Sequence, residues 1–225
     1  MLVAGALTLC AAAAAAEIEA ERYRYDVFLD DRPIGTHTFE IDRDSGAKQV
    51  RSRAEFQVKV LMVALYRYEH SADERWQDGC LRELASQTDD NGRRFEVSID
   101  PARPALKVER RSPAAATDLI ALDCPGTFAY WDPAQLERSA LINSQTGALT
   151  PVHFSHVGTD RIAGETADRY RLEPEGLDPI LLWYRASDQL WLQLETRRES
   201  RVLRYRLAGV EPLPPPAAQP GASAR

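Results

Sequence analysis

Few residues of this 225-residue chain have the types and spacing that metal or acid–base chemistry requires. The four histidines are His37, His70, His153 and His156, and only the last two are close in sequence. If they lie on a strand, their spacing places them on opposite faces, so they do not share a metal ion unless a bulge intervenes. The sequence contains no nucleophile elbow, phosphate loop, dinucleotide fingerprint or zincin helix. We therefore predict no catalytic residue, no metal and no cofactor, and an enzyme is the least favoured function class.

The cysteines give a clearer structural prediction than the histidines do. The chain has three of them, Cys10, Cys80 and Cys124, and the first lies in a segment that we expect to be removed. An even count in an exported chain favours a disulfide, so Cys80 and Cys124 are predicted to be bonded to each other. Neither has a second ligand at the spacing of a zinc site. Such a bond ties the irregular segment that follows Cys124 back to the central strands.

The first sixteen residues are apolar and uncharged and end in a run of alanines. This pattern is typical of a secretory signal peptide, here residues 1–16 with cleavage near Ala16, and it predicts an exported, periplasmic protein. A membrane anchor is the rival interpretation, but a bilayer core needs roughly 20 apolar residues, so no stable membrane span is expected after cleavage. Lipid attachment at Cys10 is disfavoured because the large Leu9 precedes it. Because the usual basic residue before the apolar core is missing, we expect that the true start lies upstream of Met1 or has been truncated.

The composition and charge of the chain argue against nucleic acid as a binding partner. The chain has 28 Lys and Arg against 34 Asp and Glu, a formal net charge of −6, and its basic residues are interleaved with acids. That distribution gives no electrostatic footprint for nucleic acid. With 44% hydrophobic and 28% charged residues, the chain has the composition of a globular protein. We expect one domain over residues 21–210, followed by a disordered tail rich in Pro and Ala over residues 211–225.

The rest of the chain is organised around residues 50–97, which we interpret as three long strands and the start of a fourth. From Val50 to Val60, apolar or small side chains alternate strictly with charged or polar ones. Such alternation is typical of an antiparallel strand with one buried face. Residues 66–73 repeat the pattern, and the turn at residues 90–92 returns the chain into the next strand.

Similar alternating segments recur between short turns along the whole chain, which is the pattern of an antiparallel meander. We predict an all-β fold: one large curved sheet of about ten strands, forming an open or half-closed barrel with little helix. The one helix proposed is a short one at Pro133, with Asp132 as its N-cap. A turn is expected at residues 31–35.

A continuous apolar run at residues 61–65 interrupts the alternation. It fits the middle of one long strand buried on both sides, a bulged lip where the sheet curves, or an apolar loop that touches a ligand or a membrane. The structural interpretations are favoured, because apolar runs form core more often than they form sites.

Binding residues are expected where large apolar side chains exceed what a one-sided sheet needs, and on irregular segments held by the sheet. For Trp131 and Asn143 the alternative is purely structural: the tryptophan plugs one end of the sheet, and the amide satisfies turn backbone groups. The candidate ligand-binding residues are Phe56, Val58, Tyr66, Tyr68, Tyr130, Trp131, Asn143, Trp183 and Trp191.

Several short motifs together resemble an uncharacterised family of exported bacterial proteins, catalogued as a domain of unknown function. The motifs are YDVFLD at 25–30, IG at 34–35, YRYEH at 66–70, Trp76 with GCL at 79–81, TDDNG at 88–92 and YWDP at 130–133. The match covers nearly the whole mature chain, roughly residues 22–210. More distantly, the long meander is similar to the half-barrel carriers that ferry lipoproteins and lipids across the periplasm, whose covering helices have no counterpart here.

Two hypotheses about function follow. In the first, the concave face of the sheet binds an apolar or amphipathic ligand of the cell envelope, such as a lipid. In the second, the protein is a structural or assembly factor of the periplasm that binds a partner chain by strand addition at an exposed edge or through the loop at Tyr130.

Overall fold

The computed structural model describes residues 19–60, 63–102, 105–198 and 200–214, so the predicted signal peptide, Cys10 and most of the predicted tail lie outside it. Within these ranges the chain forms one 14-stranded antiparallel sheet and a single short 3-10 helix, Pro133–Glu137. The predicted fold class is confirmed. The strands are β1 (Glu19–Leu29), β2 (Arg32–Asp44), β3 (Ala47–Val60), β4 (Val63–Gln77), β5 (Cys80–Asp90), β6 (Arg93–Ala102), β7 (Ala105–Ser112), β8 (Ala116–Ile120), β9 (Ala140–Ile142), β10 (Leu149–Ile162), β11 (Glu165–Pro174), β12 (Ile180–Arg185), β13 (Trp191–Arg198) and β14 (Arg201–Pro212).

The predicted number of about ten strands is too low. Two strands that the sequence did not indicate are β8 and β9, which lie at the two edges of the sheet. Four of the five β8 side chains are exposed, and β9 is only three residues long. Neither strand therefore produces an alternating pattern long enough to recognise. β14 also continues to Pro212, past the expected start of the tail.

The sheet is an open meander whose strand order runs from β8 back to β1, then from β14 back to β9. The N-terminal strand β1 lies between β2 and the C-terminal β14, so the two ends of the domain meet in the middle of the sheet. No helix of the described residues is long and apolar enough to cross a membrane.

Contacts between strands far apart in the order show that the sheet curls around its own core. The Ser86 hydroxyl on β5 donates to the Ser144 carbonyl beyond β9, at 2.6 Å. The main hydrophobic cluster accordingly draws side chains from both halves of the sheet, including Tyr25, Ile41, Leu84, Leu182 and Trp191. We call the face that carries this cluster the concave face and the other the convex face.

The residues between β8 and β9, 121–139, form a connector that crosses the concave face from one edge of the sheet to the other. The predicted disulfide joins Cys124 of the connector to Cys80 at the start of β5, with 4.8 Å between their Cα atoms. The Leu81 amide also donates to the Pro125 carbonyl at 2.8 Å. The 3-10 helix begins as expected, because the Asp132 side chain accepts from the Ala134 amide. The connector therefore covers part of the core.

One of the three interpretations of the apolar run is excluded. The run is not the middle of one strand, because Val60 ends β3 and pairs with Val63 at the start of β4. The lip and loop interpretations fall on Leu61 and Met62, which lie outside the described residues. The turn expected at 31–35 lies earlier, at Asp30 and Asp31, which have φ of 48° and 64°. Asp tolerates this left-handed conformation better than most residues because its short side chain bonds locally.

Candidate ligand-binding site

The concave face holds a cavity of about 260 Å³ that belongs to both halves of the sheet. β2, β3 and β4 form one wall and β12, β13 and β14 another, while connector residues 127–131 and turn residues 143–145 complete the lining. Because the strands place alternate side chains on this face, every second residue of β4 from Tyr68 to Trp76 reaches the lining or the core beside it.

The connector is fixed over the core by contacts at its centre. The Trp131 ring packs edge-on against Trp76, with 5.6 Å between the ring centroids. Lys48 lies over the Trp131 ring and its ammonium is 2.8 Å from the Asp132 carboxylate. The Tyr184 hydroxyl donates to the Tyr130 carbonyl at 2.9 Å. Since these contacts reach β3, β4 and β12, the connector holds the two walls of the cavity at a fixed separation.

The turn between β9 and β10 closes another side of the cavity. The Asn143 side-chain oxygen accepts from the backbone amides of Gln145 and Thr146, at 2.9 and 3.1 Å. Gly147, with φ of 68°, packs against β6 and β7 so closely that an added Cβ would lie 3.0 Å from a methyl carbon of Val108. Asn143 thus shapes the turn, as the structural alternative expected, and it also lines the cavity.

Glu74 of β4 places a carboxyl group in this apolar setting. The residue is only 9% exposed, and burial raises the pKa of its carboxyl to about 7. Hydrogen bonds from Trp76 Nε1 at 2.8 Å and Thr127 Oγ1 at 3.3 Å favour the ionised form, but they offset the effect of desolvation on the pKa only in part. Glu74 therefore titrates near neutral pH without a positively charged partner in the described lining.

His37 of β2 is the second polar group of the lining. Its ring stacks on Phe39 at 4.1 Å, and neither ring nitrogen has a hydrogen-bond partner or contact with solvent among the described residues. Burial, followed by the repulsion of a charged His70, lowers the pKa of His37 to about 3. A buried polar atom without a partner is uncommon in folded proteins, so His37 stands out among the polar groups of the lining.

His70 of β4 is more completely bonded. Its Nδ1 lies 2.8 Å from the Thr88 hydroxyl and its Nε2 lies 3.4 Å from the Ser144 hydroxyl. Burial lowers the pKa of His70 to about 4. Both cavity histidines are therefore neutral at neutral pH.

Four of the nine sequence-predicted site residues line the cavity: Tyr68, Tyr130, Trp131 and Asn143. The Tyr68 hydroxyl donates to the Gln145 side-chain oxygen at 3.1 Å, so β4 is connected to the β9–β10 turn.

The other five candidates lie elsewhere. Phe56 stacks on Tyr68 at 5.3 Å on the concave face, and Val58 pairs with Tyr66 towards the hairpin tip. Trp191 is 1% exposed in the main core. Trp183 belongs to a separate small cluster on the convex face, because its neighbours in β12, Leu182 and Tyr184, are the ones that join the main core.

Glu74, His37 and His70 are among the lining residues that sequence reasoning did not select. The signal was present: Glu74 occupies the same alternating row of β4 as Tyr68 and Trp76, where an ionisable residue is out of place. Alternation predicts which face a residue occupies, but it does not show which of the concave residues surround a cavity.

Among the described residues, no group of three or more His, Cys, Asp or Glu side chains could hold a metal ion. His153 and His156 are both exposed, and the bulge in β10 follows His156, so it does not bring the two together.

Comparison with solved structures shows the same fold in another protein. A β-barrel-like protein of Brucella abortus, a domain of unknown function (DUF1849), matches 89% of this chain and 100% of its own with a TM-score of 0.64 at 9% identity. At this identity the likeness concerns the fold alone.

Two further structures align with much lower scores. LprF from Mycobacterium bovis covers 86% of each chain with a TM-score of 0.30 at 10% identity. A Vibrio parahaemolyticus domain provisionally assigned to outer-membrane lipoprotein sorting covers 86% of this chain and 85% of its own, with a TM-score of 0.31 at 8% identity. These scores support no conclusion about function.

The search of curated proteins finds no match. The family comparison is decisive instead, because one family matches residues 25–208, which is most of the domain. The chain belongs to the DUF6134 family, a domain of unknown function.

Proposed function

We propose that this chain is an exported protein that binds a small apolar or amphipathic molecule of the cell envelope in its concave cavity. The observation that carries the proposal is the lining itself: aromatic and aliphatic side chains surround a few polar groups, of which His37 has no partner of its own among the described residues. Binding sites for small molecules have this composition.

The size of the cavity limits the ligand. At about 260 Å³ it lies just below the roughly 300–1,000 Å³ of typical ligand sites. The connector and the aromatic rings fill much of the remaining concave face, so the cavity accepts one short chain or ring system rather than a complete multi-chain lipid.

The proposed location outside the cytoplasm rests on the disulfide. Cys80 and Cys124 are bonded in the structure, and such bonds persist in oxidising compartments. This agrees with the export predicted from residues 1–16.

The first test is extraction of the purified protein with organic solvent, followed by mass spectrometry. We expect one co-purifying small molecule, and the variant Ser52→Phe should lose it because Ser52 lines the cavity. The matched control is Ser71→Phe, which adds the same ring on the convex face of the adjoining strand β4. Unfolding curves establish that both variants are folded. Equal recovery from both variants, or repeated absence of any ligand from the parent protein, would contradict the proposal.

A second candidate function, strand addition by a partner chain, is favoured by one observation. β8 is an edge strand with Leu119 70% exposed, and such edges are templates for pairing. The Tyr130 loop is a weaker partner site, because its backbone is held by Tyr184. Crosslinking in cells from position 119 should capture a protein if this function is correct, whereas crosslinking from position 52 should capture a small molecule if the first one is.

A further inference from the structure

The charge of the cavity is set by one residue. Its lining contains neither Lys nor Arg, and Glu74 is its one acidic residue among the described positions. Lys48 lies beside the lining, over the Trp131 ring, and its ammonium is already paired with Asp132 at 2.8 Å. A ligand in this cavity therefore meets a carboxyl group that no protein cation neutralises.

The carboxyl group retains capacity to bind. A carboxylate has about four acceptor sites, and those of Glu74 receive one hydrogen bond from Trp76 and one from Thr127, both neutral donors. Aromatic rings of Phe39, Phe128 and Tyr130 also line the cavity. Ring faces attract cations, so the same lining suits a positively charged group and an apolar chain together.

We propose that the ligand is an amphipathic amine, whose ammonium group pairs with the Glu74 carboxylate while its apolar part lies against the aromatic lining. This inference rests on the proposed function and specifies the ligand class for the same site. An anionic amphiphile, such as a fatty acid, is disfavoured because its headgroup would lie near Glu74 with no cation of the described lining to compensate the repulsion.

The inference has a pH signature because Glu74 must be ionised to pair with the amine. The other titratable groups that face the cavity are His37 of β2, His70 of β4, Tyr68 of β4, Tyr130 of the connector and Tyr205 of β14, and the Lys48–Asp132 pair lies beside it. Burial lowers the pKa of the two histidines to about 3 and about 4 and raises the pKa of Tyr130 and Tyr205.

Glu74 is thus the group whose charge changes near neutral pH. An alkylammonium, like the lysine side chain, stays charged from about pH 5 to about pH 8. Amine affinity should therefore rise with pH across this range, whereas the affinity for an uncharged analogue should stay level.

The test titrates octylamine, octanol and octanoate into the full-length protein by isothermal calorimetry. At about pH 8 we expect the affinity for octylamine to exceed that for octanol by about tenfold or more. Octanoate should bind most weakly of the three. Glu74→Gln should remove the preference for the amine and its pH dependence while keeping octanol binding. Asp73→Asn, the adjacent acidic residue on the convex face with its side chain 74% exposed, is the matched control for non-specific attraction of amines.

Each outcome bears on one of the two proposals. Octanol binding without an amine preference, an unchanged preference in Glu74→Gln, or tighter binding of octanoate would overturn the amine assignment and leave the binding cavity standing. Failure of all three ligands to bind would overturn the proposed function and the amine assignment together. If Glu74→Gln does not fold, the pH dependence of octylamine against octanol in the parent protein decides the question.

Discussion

Glu74 on the concave face and the carboxyl groups of the convex face have opposite surroundings. On the convex face, acids and bases of neighbouring strands pair across the sheet, as in Arg22–Glu40 at 2.7 Å and Arg204–Glu195 at 2.9 Å. On the concave face, Glu74 lies among rings and aliphatic side chains with neutral hydrogen-bond donors alone.

The difference shows how position, rather than residue type, decides what a carboxyl group does. Glu40 is bonded to Arg22, which lowers the pKa of its carboxyl, whereas burial raises the pKa of Glu74 to about 7. Exposed pairs contribute little to stability because water screens them. A buried carboxyl is unfavourable when ionised, so Glu74 costs stability where it is charged, and the proposed amine would offset that cost.

The largest difference between the faces is expected when one tryptophan from each face is replaced by alanine and the loss in the free energy of unfolding is compared. Trp191 of the main core stacks within 4.1 Å of Tyr25 and is 1% exposed, so Trp191→Ala should lower the free energy of unfolding by about 3–5 kcal/mol. Trp183→Ala, in the small convex cluster, should cost about 2 kcal/mol, because few buried neighbours surround the space it leaves. Denaturant unfolding of both variants measures the difference, and a larger loss from Trp183→Ala would show that we have misassigned the main core.

Removal of the disulfide should have the next largest effect on stability. The bond closes a loop of 44 residues, for which the chain-entropy model gives about 4 kcal/mol, less any strain. Because Cys124 anchors the connector over the concave face, the double variant Cys80→Ser, Cys124→Ser should also expose core surface there. We expect a lower free energy of unfolding together with increased binding of a hydrophobic dye. Unchanged stability and dye binding would mean that the Lys48–Asp132 and Trp76–Trp131 contacts hold the connector without the bond.

Local signals in the sequence were enough to predict the fold and which side chains alternate between the two faces of the sheet. Strict alternation in residues 50–60 and the turn at 90–92 predicted antiparallel strands because both depend on neighbours in sequence. The cysteine count predicted the disulfide for a different reason, the chemistry of export.

The site was only partly predictable because it depends on contacts between distant residues. Thr127 reaches Glu74 across 53 positions, and Gln145 reaches Tyr68 across 77. No local pattern records which connector residue will lie over which strand. An acid in the concave row of β4 was the one available sign, and it gains meaning only once the cavity beside it is known.

Glu74 should make stability depend on pH with a defined sign. Its pKa is raised in the folded state from 4.5 to about 7, so the unfolded chain loses its proton first as pH rises. The contribution of Glu74 to stability is therefore greatest below about pH 4.5, falls between about 4.5 and about 7, and then levels, by up to about 3 kcal/mol in total. His37 and His70, whose pKa values are lowered, act in the opposite direction between about 3 and 6.5.

Comparison with Glu74→Gln isolates the glutamate, because the histidines are common to both proteins. The free energy of unfolding of the parent protein minus that of the variant should fall across this range when measured without ligand. A difference that is flat with pH would show that water or a cation reaches Glu74 and keeps its pKa ordinary.

The smallest effect is expected at the convex counterpart, Glu40. Glu40→Gln breaks the ion pair with Arg22, whose two side chains are 42% and 30% exposed, and should lower the free energy of unfolding by less than about 1 kcal/mol. The sign of the pH dependence also differs from that of Glu74. Because the pKa of Glu40 is lowered by Arg22, its contribution to stability is present above the unfolded pKa of 4.5 and is lost as the pH falls.

Denaturant unfolding at low and high salt is the appropriate measurement, since salt should shrink the Glu40 effect and leave the Glu74 effect nearly unchanged. An equal salt response in the two variants would mean that both carboxyl groups face water, and the contrast between the two faces would be lost.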